Sequence, residues 1–231
     1  MKGLLVLPVV LILLLGSPAA ANLSKGSEAV ESRNDATSLK EWGVLAEQGD
    51  ADAQFNMGVV YLQGLGVTQD YQAAFNWFKK STEQKHAIAQ FTLGVMYLQG
   101  LGVTQDYKFA IKWFNLAAEQ GDANAQTGLG VIYIKGWGVA QDYKAAFNWF
   151  KKAAEQGGSE AQAVLSSMYE DGIGIPQNYT RAHMWWNIAA SLGNEAAAGN
   201  RDKVEKMMTP SQLEKAQNLA RECVAKNYKG C

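Results

Sequence analysis

The sequence predicts an all-α solenoid of 36-residue helix–turn–helix repeats with helical caps. Three observations carry that fold class. Tyr61, Tyr97, Tyr133 and Tyr169 recur in one register, and so do Trp77, Trp113, Trp149 and Trp185. A glycine pair follows each of those tyrosines: Gly64 and Gly66, Gly100 and Gly102, Gly136 and Gly138, Gly172 and Gly174. The apolar residues between these marks fall at three- and four-residue spacing, with no strand-like alternation. Four units result, 51–86, 87–122, 123–158 and 159–194. One helix pair cannot bury both its faces, so neighbouring pairs must stack and the ends need caps.

The chain opens on Lys2 and an apolar run from Leu4 to Leu15. Gly16-Ser17-Pro18 breaks the run, and Ala19-Ala20-Ala21 supplies small residues for cleavage. This pattern predicts a secretory signal peptide over 1–21, cut after Ala21. The run is shorter than the ~20 residues a membrane span needs, and Pro8 and Pro18 disfavour one continuous helix. After cleavage no membrane span is expected. The periplasm or the cell exterior is the predicted destination, an oxidising setting. Residues 22–36 are polar and read as a flexible leader. Residues 37–50 match a second helix without its first, and read as an N-terminal capping half-repeat.

Within each repeat the first helix carries its apolar residues at positions such as Ala53, Met57, Val60 and Tyr61. Gly58, Gly94 and Gly130 interrupt it at mid-helix. Such a glycine costs about 1 kcal/mol against alanine, so its recurrence predicts a close approach by another helix. Gly64 supplies the left-handed stop, and Asp70 is the predicted N-cap of the second helix. Tyr71, Ala74, Trp77, Phe78 and Ser81 form the predicted apolar face of that helix, which makes the recurrent Trp and Tyr residues core. Residues 195–231 read as C-terminal capping helices, Glu195 to Met208 and then Ser211 to Lys226. Thr209-Pro210-Ser211-Gln212 marks the start of the last one as a capping box with proline at the first helical position.

Composition excludes several functions. Apolar residues make up 48% of the chain and charged residues 19%, enough for a core. With 21 Lys and Arg against 22 Asp and Glu, no basic excess exists to neutralise a nucleic acid backbone. Two His and two Cys are too few for a multi-Cys/His metal site. The glycine pairs lack the third glycine of a dinucleotide loop and the Gly-Lys-Ser/Thr of a P-loop. There is no Gly-x-Ser-x-Gly, His-Glu-x-x-His or Ser-x-x-Lys. His86 and His183 each stand alone in the sequence, His183 in the register of Phe75 and Phe147. No catalytic residue, metal or cofactor is expected.

Ala125, Gln126, Leu129, Gly130, Tyr133, Gly136, Gly138, Val139, Asp142, Ala146, Trp149, Ala153, Ala154 and Gly157 follow a pattern that resembles the Sel-one-like repeat family, relatives of the tetratricopeptide repeat. The resemblance covers 51–194. The fourth unit departs from it, with Ser166 for the mid-helix Gly and Asn178 for Asp. What the resemblance implies is a right-handed α-solenoid acting as an adaptor, with the first helices lining a concave surface. Cysteine-rich relatives discussed as β-lactam-binding or β-lactam-hydrolysing proteins carry a Cys pair in each repeat, and none of these four units contains Cys.

The positions at which the four copies disagree are the candidate binding residues. Asp52, Ile88, Asn124 and Glu160 form one set, and Asn56, Thr92, Gly128 and Val164 a second. Gln63, Gln99, Lys135 and Asp171 form a third. From these, Asp52, Asn56, Gln63, Gln99, Asn124, Lys135, Glu160 and Asp171 are assigned to a concave face that takes a protein or peptide partner. Cys223 and Cys231 are assigned to a disulfide, with a redox pair or intermolecular pairing as alternatives. Asn178-Tyr179-Thr180 is a glycosylation sequon, meaningful only in a eukaryotic lumen. The functional expectation is an exported, non-catalytic adaptor in a bacterial envelope. The alternatives are a hydrolase acting on cell-wall or β-lactam-like substrates and a secreted effector that binds host molecules.

Overall fold

The computed structural model describes residues 36–231, with side chains from Leu39 onward. The predicted signal peptide and most of the leader lie outside the described residues. Among those residues every regular element is an α-helix. Helix α1 spans Ala36–Glu47. The repeats follow as α2 (Ala51–Gln63) with α3 (Tyr71–Glu83), α4 (Ala87–Gln99) with α5 (Tyr107–Glu119), α6 (Ala123–Lys135) with α7 (Tyr143–Ala154), and α8 (Ser159–Asp171) with α9 (Tyr179–Ser191). Helices α10 (Glu195–Glu205) and α11 (Pro210–Ala225) close the chain. Consecutive helix pairs pack as a repeat solenoid. None of these helices is long and apolar enough to cross a membrane.

Two compact units divide within α6, one ending at Ala125 and the other starting at Gln126. In the first unit, α1 packs on α2, α2 on α3, α3 on α4 and α4 on α5. Its core includes Phe55, Val59, Phe78, Leu93 and Met96. In the second unit, α7 packs on α8 and α8 on α9, and both closing helices pack on α9. Trp186, Ala189, Ala197 and Val204 are buried together there.

The turn between paired helices is built the same way each time. Gly64 ends α2 in the left-handed conformation (φ 73°), and its N–H reaches the Val60 carbonyl. The chain returns to donate Asp70 N–H to the Tyr61 carbonyl at 2.9 Å. Gln69 ties the loop down by donating Nε2 to the Leu62 carbonyl at 2.7 Å, repeated by Gln105, Gln141 and Gln177. Asp70 then caps α3 by accepting from Ala73 N–H. Three backbone groups orphaned at helix ends are satisfied in one short segment.

The close approach expected at the mid-helix glycines comes from the repeat's own second helix. A Cβ on Gly58 or Gly94 would meet the ring of Phe78 or Phe114 at 2.5 Å, and one on Gly130 the ring of Phe150 at 2.7 Å. In the fourth unit Ser166 stands at that register and Trp186 replaces the phenylalanine. Ser166 turns its hydroxyl back to donate to the Gln162 carbonyl at 2.7 Å.

Buried glutamines bind the repeats in a second way. Gln84, Gln120 and Gln156 donate Nε2 across the pair to the side-chain oxygens of Gln54, Gln90 and Gln126 at 3.1, 2.7 and 2.8 Å. The fourth copy has Leu192 in place of the donor, and the buried Gln162 Oε1 has no partner.

The Trp and Tyr registers are only in part core. Trp185 is fully buried, whereas Trp77, Trp113 and Trp149 are half-buried. Tyr71 is 39% exposed and Tyr143 41%. The reason is positional. These tyrosines open their helices, where the backbone rather than the ring meets the next repeat. Gly102 lies against the Tyr71 carbonyl and Gly174 against that of Tyr143, too close for a Cβ. The deep core falls one register later, on Phe78, Phe114, Phe150 and Trp186.

Candidate functional site

The first-helix residues assigned to a binding surface fall into two groups. Gln63, Gln99, Lys135 and Asp171 are the last residues of α2, α4, α6 and α8. Gln63, Lys135 and Asp171 are exposed and Gln99 is half-buried. Their neighbours in the preceding turns are held by the core, so these four positions are free to vary without disturbing packing. Asn124 and Glu160 are half-buried near helix starts.

Asp52 is engaged within the fold. Its carboxylate accepts from His86 Nε2 at 3.0 Å. His86 is the N-cap of α4, its Nδ1 accepting from Ala89 N–H at 3.1 Å. An imidazole nitrogen that accepts carries no proton, so this geometry fixes the Nε2–H tautomer. His86 also stacks on Phe55, with centroids 5.1 Å apart. This histidine, solitary in the sequence, therefore links two repeats.

The column containing Asn56 is not uniformly outward. Asn56 and Val164 are half-buried, while Thr92 is 4% exposed and Gly128 is buried. Thr92 turns its hydroxyl inward to donate to the Ile88 carbonyl at 2.8 Å. At Thr92 and Gly128 the variation reflects packing rather than contact with solvent.

A polar cleft lies in the second unit, where sequence reasoning placed nothing. Three helices each contribute two residues four apart: His183 and Asn187 from α9, Arg201 and Glu205 from α10, Gln217 and Arg221 from α11. Spacing of four puts each pair on one helix face, and the three faces converge. The cleft volume is about 300 Å³. His183 is 2% exposed, and neither ring nitrogen has a hydrogen-bond partner. The Glu205 carboxylate is 3.7 Å from Nε2, beyond hydrogen-bond range. Burial holds the imidazole below the ordinary histidine range, while Glu205 pulls the other way.

Nearby charges are unequally committed. Arg201 donates Nε and Nη2 to the Asp202 carboxylate at 2.9 and 2.8 Å, and Nη1 approaches Asn187 Oδ1 at 3.5 Å. Arg221 donates only to the neutral Asn218 side chain among the described residues. Cys223 and Cys231 are joined by a disulfide, their Cα atoms 5.6 Å apart. Asn227 and Tyr228, both in the left-handed region at φ 50° and 67°, make the reversal that brings the tail back. Arg181 donates to the Cys231 carbonyl. Asn178 of the sequon caps α9 by accepting from Arg181 N–H at 3.0 Å.

The Sel1 repeat model matches 51–86, 87–122, 123–158 and 159–194. The chain belongs to the Sel1 repeat family. Among solved structures it is similar to c5321, a protective antigen of uropathogenic Escherichia coli with an SLR fold, at 33% identity and a TM-score of 0.78. That match covers 91% of this chain and 47% of the E. coli protein, so the chain spans about half the length of that relative. It is similar also to a Sel1 repeat protein from Oxalobacter formigenes, at 31% identity and a TM-score of 0.72, over 87% and 88% of the two chains. No curated protein matches it.

Sel1 repeat proteins are generally protein-interaction scaffolds, and the family is typically non-catalytic. Within this Sel1 chain the cleft is visible only once the closing helices are in place. Its one sequence signal is His183, a polar residue in a register occupied by Phe75, Ile111 and Phe147.

Proposed function

We propose that this chain is an exported adaptor that binds a protein or peptide on the first helices of its repeats and performs no chemistry on it. The observation that carries this reading is the contrast within the repeat. The caps, loop ties and core contacts recur, while the residue closing each first helix changes along the array, from an amide at Gln63 and Gln99 to a cation at Lys135 and a carboxylate at Asp171. A repeated frame that offers different groups at regular intervals suits recognition of an extended partner. Family membership supports the same reading, since Sel1 repeat proteins bind proteins. Export to a bacterial envelope is supported by the apolar run and alanine triplet before Asn22, and by the Cys223–Cys231 bond, which suits an oxidising compartment.

The test is crosslinking and affinity purification of tagged full-length protein from its native cells, beside a variant carrying Asn56→Arg, Gln63→Glu and Lys135→Glu. One defined envelope protein, recovered with the parent and lost with the folded variant, is the expected result. A partner kept by both proteins overturns the surface assignment. Loss on changing Lys79 or Lys151, with the first-helix changes silent, overturns it equally. Fractionation of the same cells tests export: retention of the uncut chain in the cytoplasm refutes it.

A further inference from the structure

We propose that the cleft formed by α9, α10 and α11 binds an α-amino carboxylate: a carboxylate with an N–H donor on the adjacent carbon, as in a free amino acid or a peptide C-terminus. The first argument is the buried imidazole. An unsatisfied polar group buried this deeply is costly, and the other repeats avoid the cost with Phe75, Ile111 and Phe147. His183 borders a cleft of about 300 Å³ and neither ring nitrogen makes a hydrogen bond, the Glu205 carboxylate standing off at 3.7 Å from Nε2, so a ligand in the cleft has a hydrogen bond to complete. The volume is at the lower end for small-molecule sites and suits something of amino-acid size.

Charge gives the chemical class. Arg221 has no carboxylate within ion-pair distance among the described residues, and its one hydrogen bond goes to neutral Asn218. Guanidinium matches carboxylate geometry through paired N–H donors. Arg201 stands on the same cleft but is largely engaged by Asp202. Glu205 gives the cleft an acceptor as well, and Asn187 and Gln217 add amide groups. A simple anion would use the arginines and be repelled by Glu205. A ligand that places an N–H beside its carboxylate uses both signs of charge.

The test follows backbone amide shifts in ¹⁵N-labelled, disulfide-intact protein. The probes are L-alanine, N-acetyl-trialanine with a free C-terminus, its C-terminal amide, acetate and inorganic phosphate. Saturable shifts in α9–α11 with alanine or the free-acid tripeptide are expected, with the amide weaker by at least about tenfold, a factor one charge-assisted hydrogen bond can supply. Saturation by the tripeptide over alanine identifies a peptide end, and the reverse identifies a free amino acid. Arg221→Gln is expected to weaken binding by about tenfold or more, while Lys215→Gln, the same charge change on the same helix outside the cleft, leaves it unaltered. His183→Phe, which restores the residue type of the other repeats, is expected to abolish saturation in a folded protein. Absence of saturation with both carboxylates overturns the proposal. So does equal binding of the amide, of acetate or of phosphate, or a folded Arg221→Gln protein that binds as the parent does.

Discussion

The ring of Phe78 occupies the place a side chain on Gly58 would need, with Cδ1 and Cε1 2.5 Å from an added Cβ. Gly94 and Phe114 repeat the relationship at the same distance. Two effects of Gly94→Ala oppose each other. Helix propensity gains about 1 kcal/mol. Overpacking against a buried ring costs about 1–3 kcal/mol, and the Phe114 ring is fully buried. The clash outweighs the gain over most of that range, so Gly94→Ala is expected to lower unfolding free energy by up to about 2 kcal/mol in urea titrations. Gly199→Ala reverses the sign. Gly199 is exposed within α10 with nothing within 4 Å of an added Cβ. It is expected to gain about 0.5–1 kcal/mol. Equal effects at the two sites would refute the packing account.

The fourth repeat lacks a donor that the other three possess. Leu192 stands where Gln84, Gln120 and Gln156 reach across to a buried glutamine oxygen, and Gln162 Oε1 is left without a partner. Leu192 is itself substantially exposed, so replacing it removes little core. Leu192→Gln is expected to stabilise the protein by about 0.5–1.5 kcal/mol, the net worth of one hydrogen bond. Gln120→Leu should destabilise by about 1–3 kcal/mol, because it strands Gln90 Oε1 in the interior. Thermal melts of both variants check the pair. A Leu192→Gln protein less stable than the parent would show that Gln162 does not need the bond.

Much of the architecture was legible because the chain repeats itself. Gly58, Gly94 and Gly130 announced a close approach, and Asp70 and Thr209 announced the helix starts at which they serve as N-caps. The aromatic registers misled in part, since an aromatic at the first helical position is not held against the helix face as one two turns later is. Tyr71 and Phe78 differ in exposure for that reason. The C-terminal cleft was illegible because it depends on how three non-repeating helix faces meet. Arg221 and His183 are 38 positions apart in sequence, and no internal copy exists to compare them with.

The Cys223–Cys231 bond closes a short terminal loop and holds a tail that touches the third and fourth repeats. Tyr228 N–H donates to the Cys223 carbonyl at 2.8 Å, and the Tyr228 ring lies over Gly157. Chain-entropy reasoning gives a loop of this size about 2–3 kcal/mol. Cys231→Ser is expected to lose an amount of that order and to speed hydrogen exchange at Tyr228, leaving the α2–α5 amides unaltered. Intact mass should rise by two hydrogens on reduction of the parent. Unchanged mass on reduction, or an unchanged melting temperature in the variant, would remove the bond from the account of stability.

His183 makes stability depend on pH in a defined direction. Burial lowers its pKa most; Glu205 and Asp202 pull upward, and Arg201 pushes further down. With the folded pKa below the ordinary 6.5, the unfolded chain binds more protons through the interval between the two values. The contribution is therefore fully retained above pH 6.5 and lost as pH falls through the depressed folded value. His183→Phe removes both this titration and the unsatisfied nitrogens. It is expected to be more stable than the parent at pH 8 by about 1–3 kcal/mol, the desolvation cost relieved. The gap should widen at pH 5.5. A gap that narrows on acidification would mean that His183 is protonated more readily in the folded state, with Glu205 rather than burial controlling it.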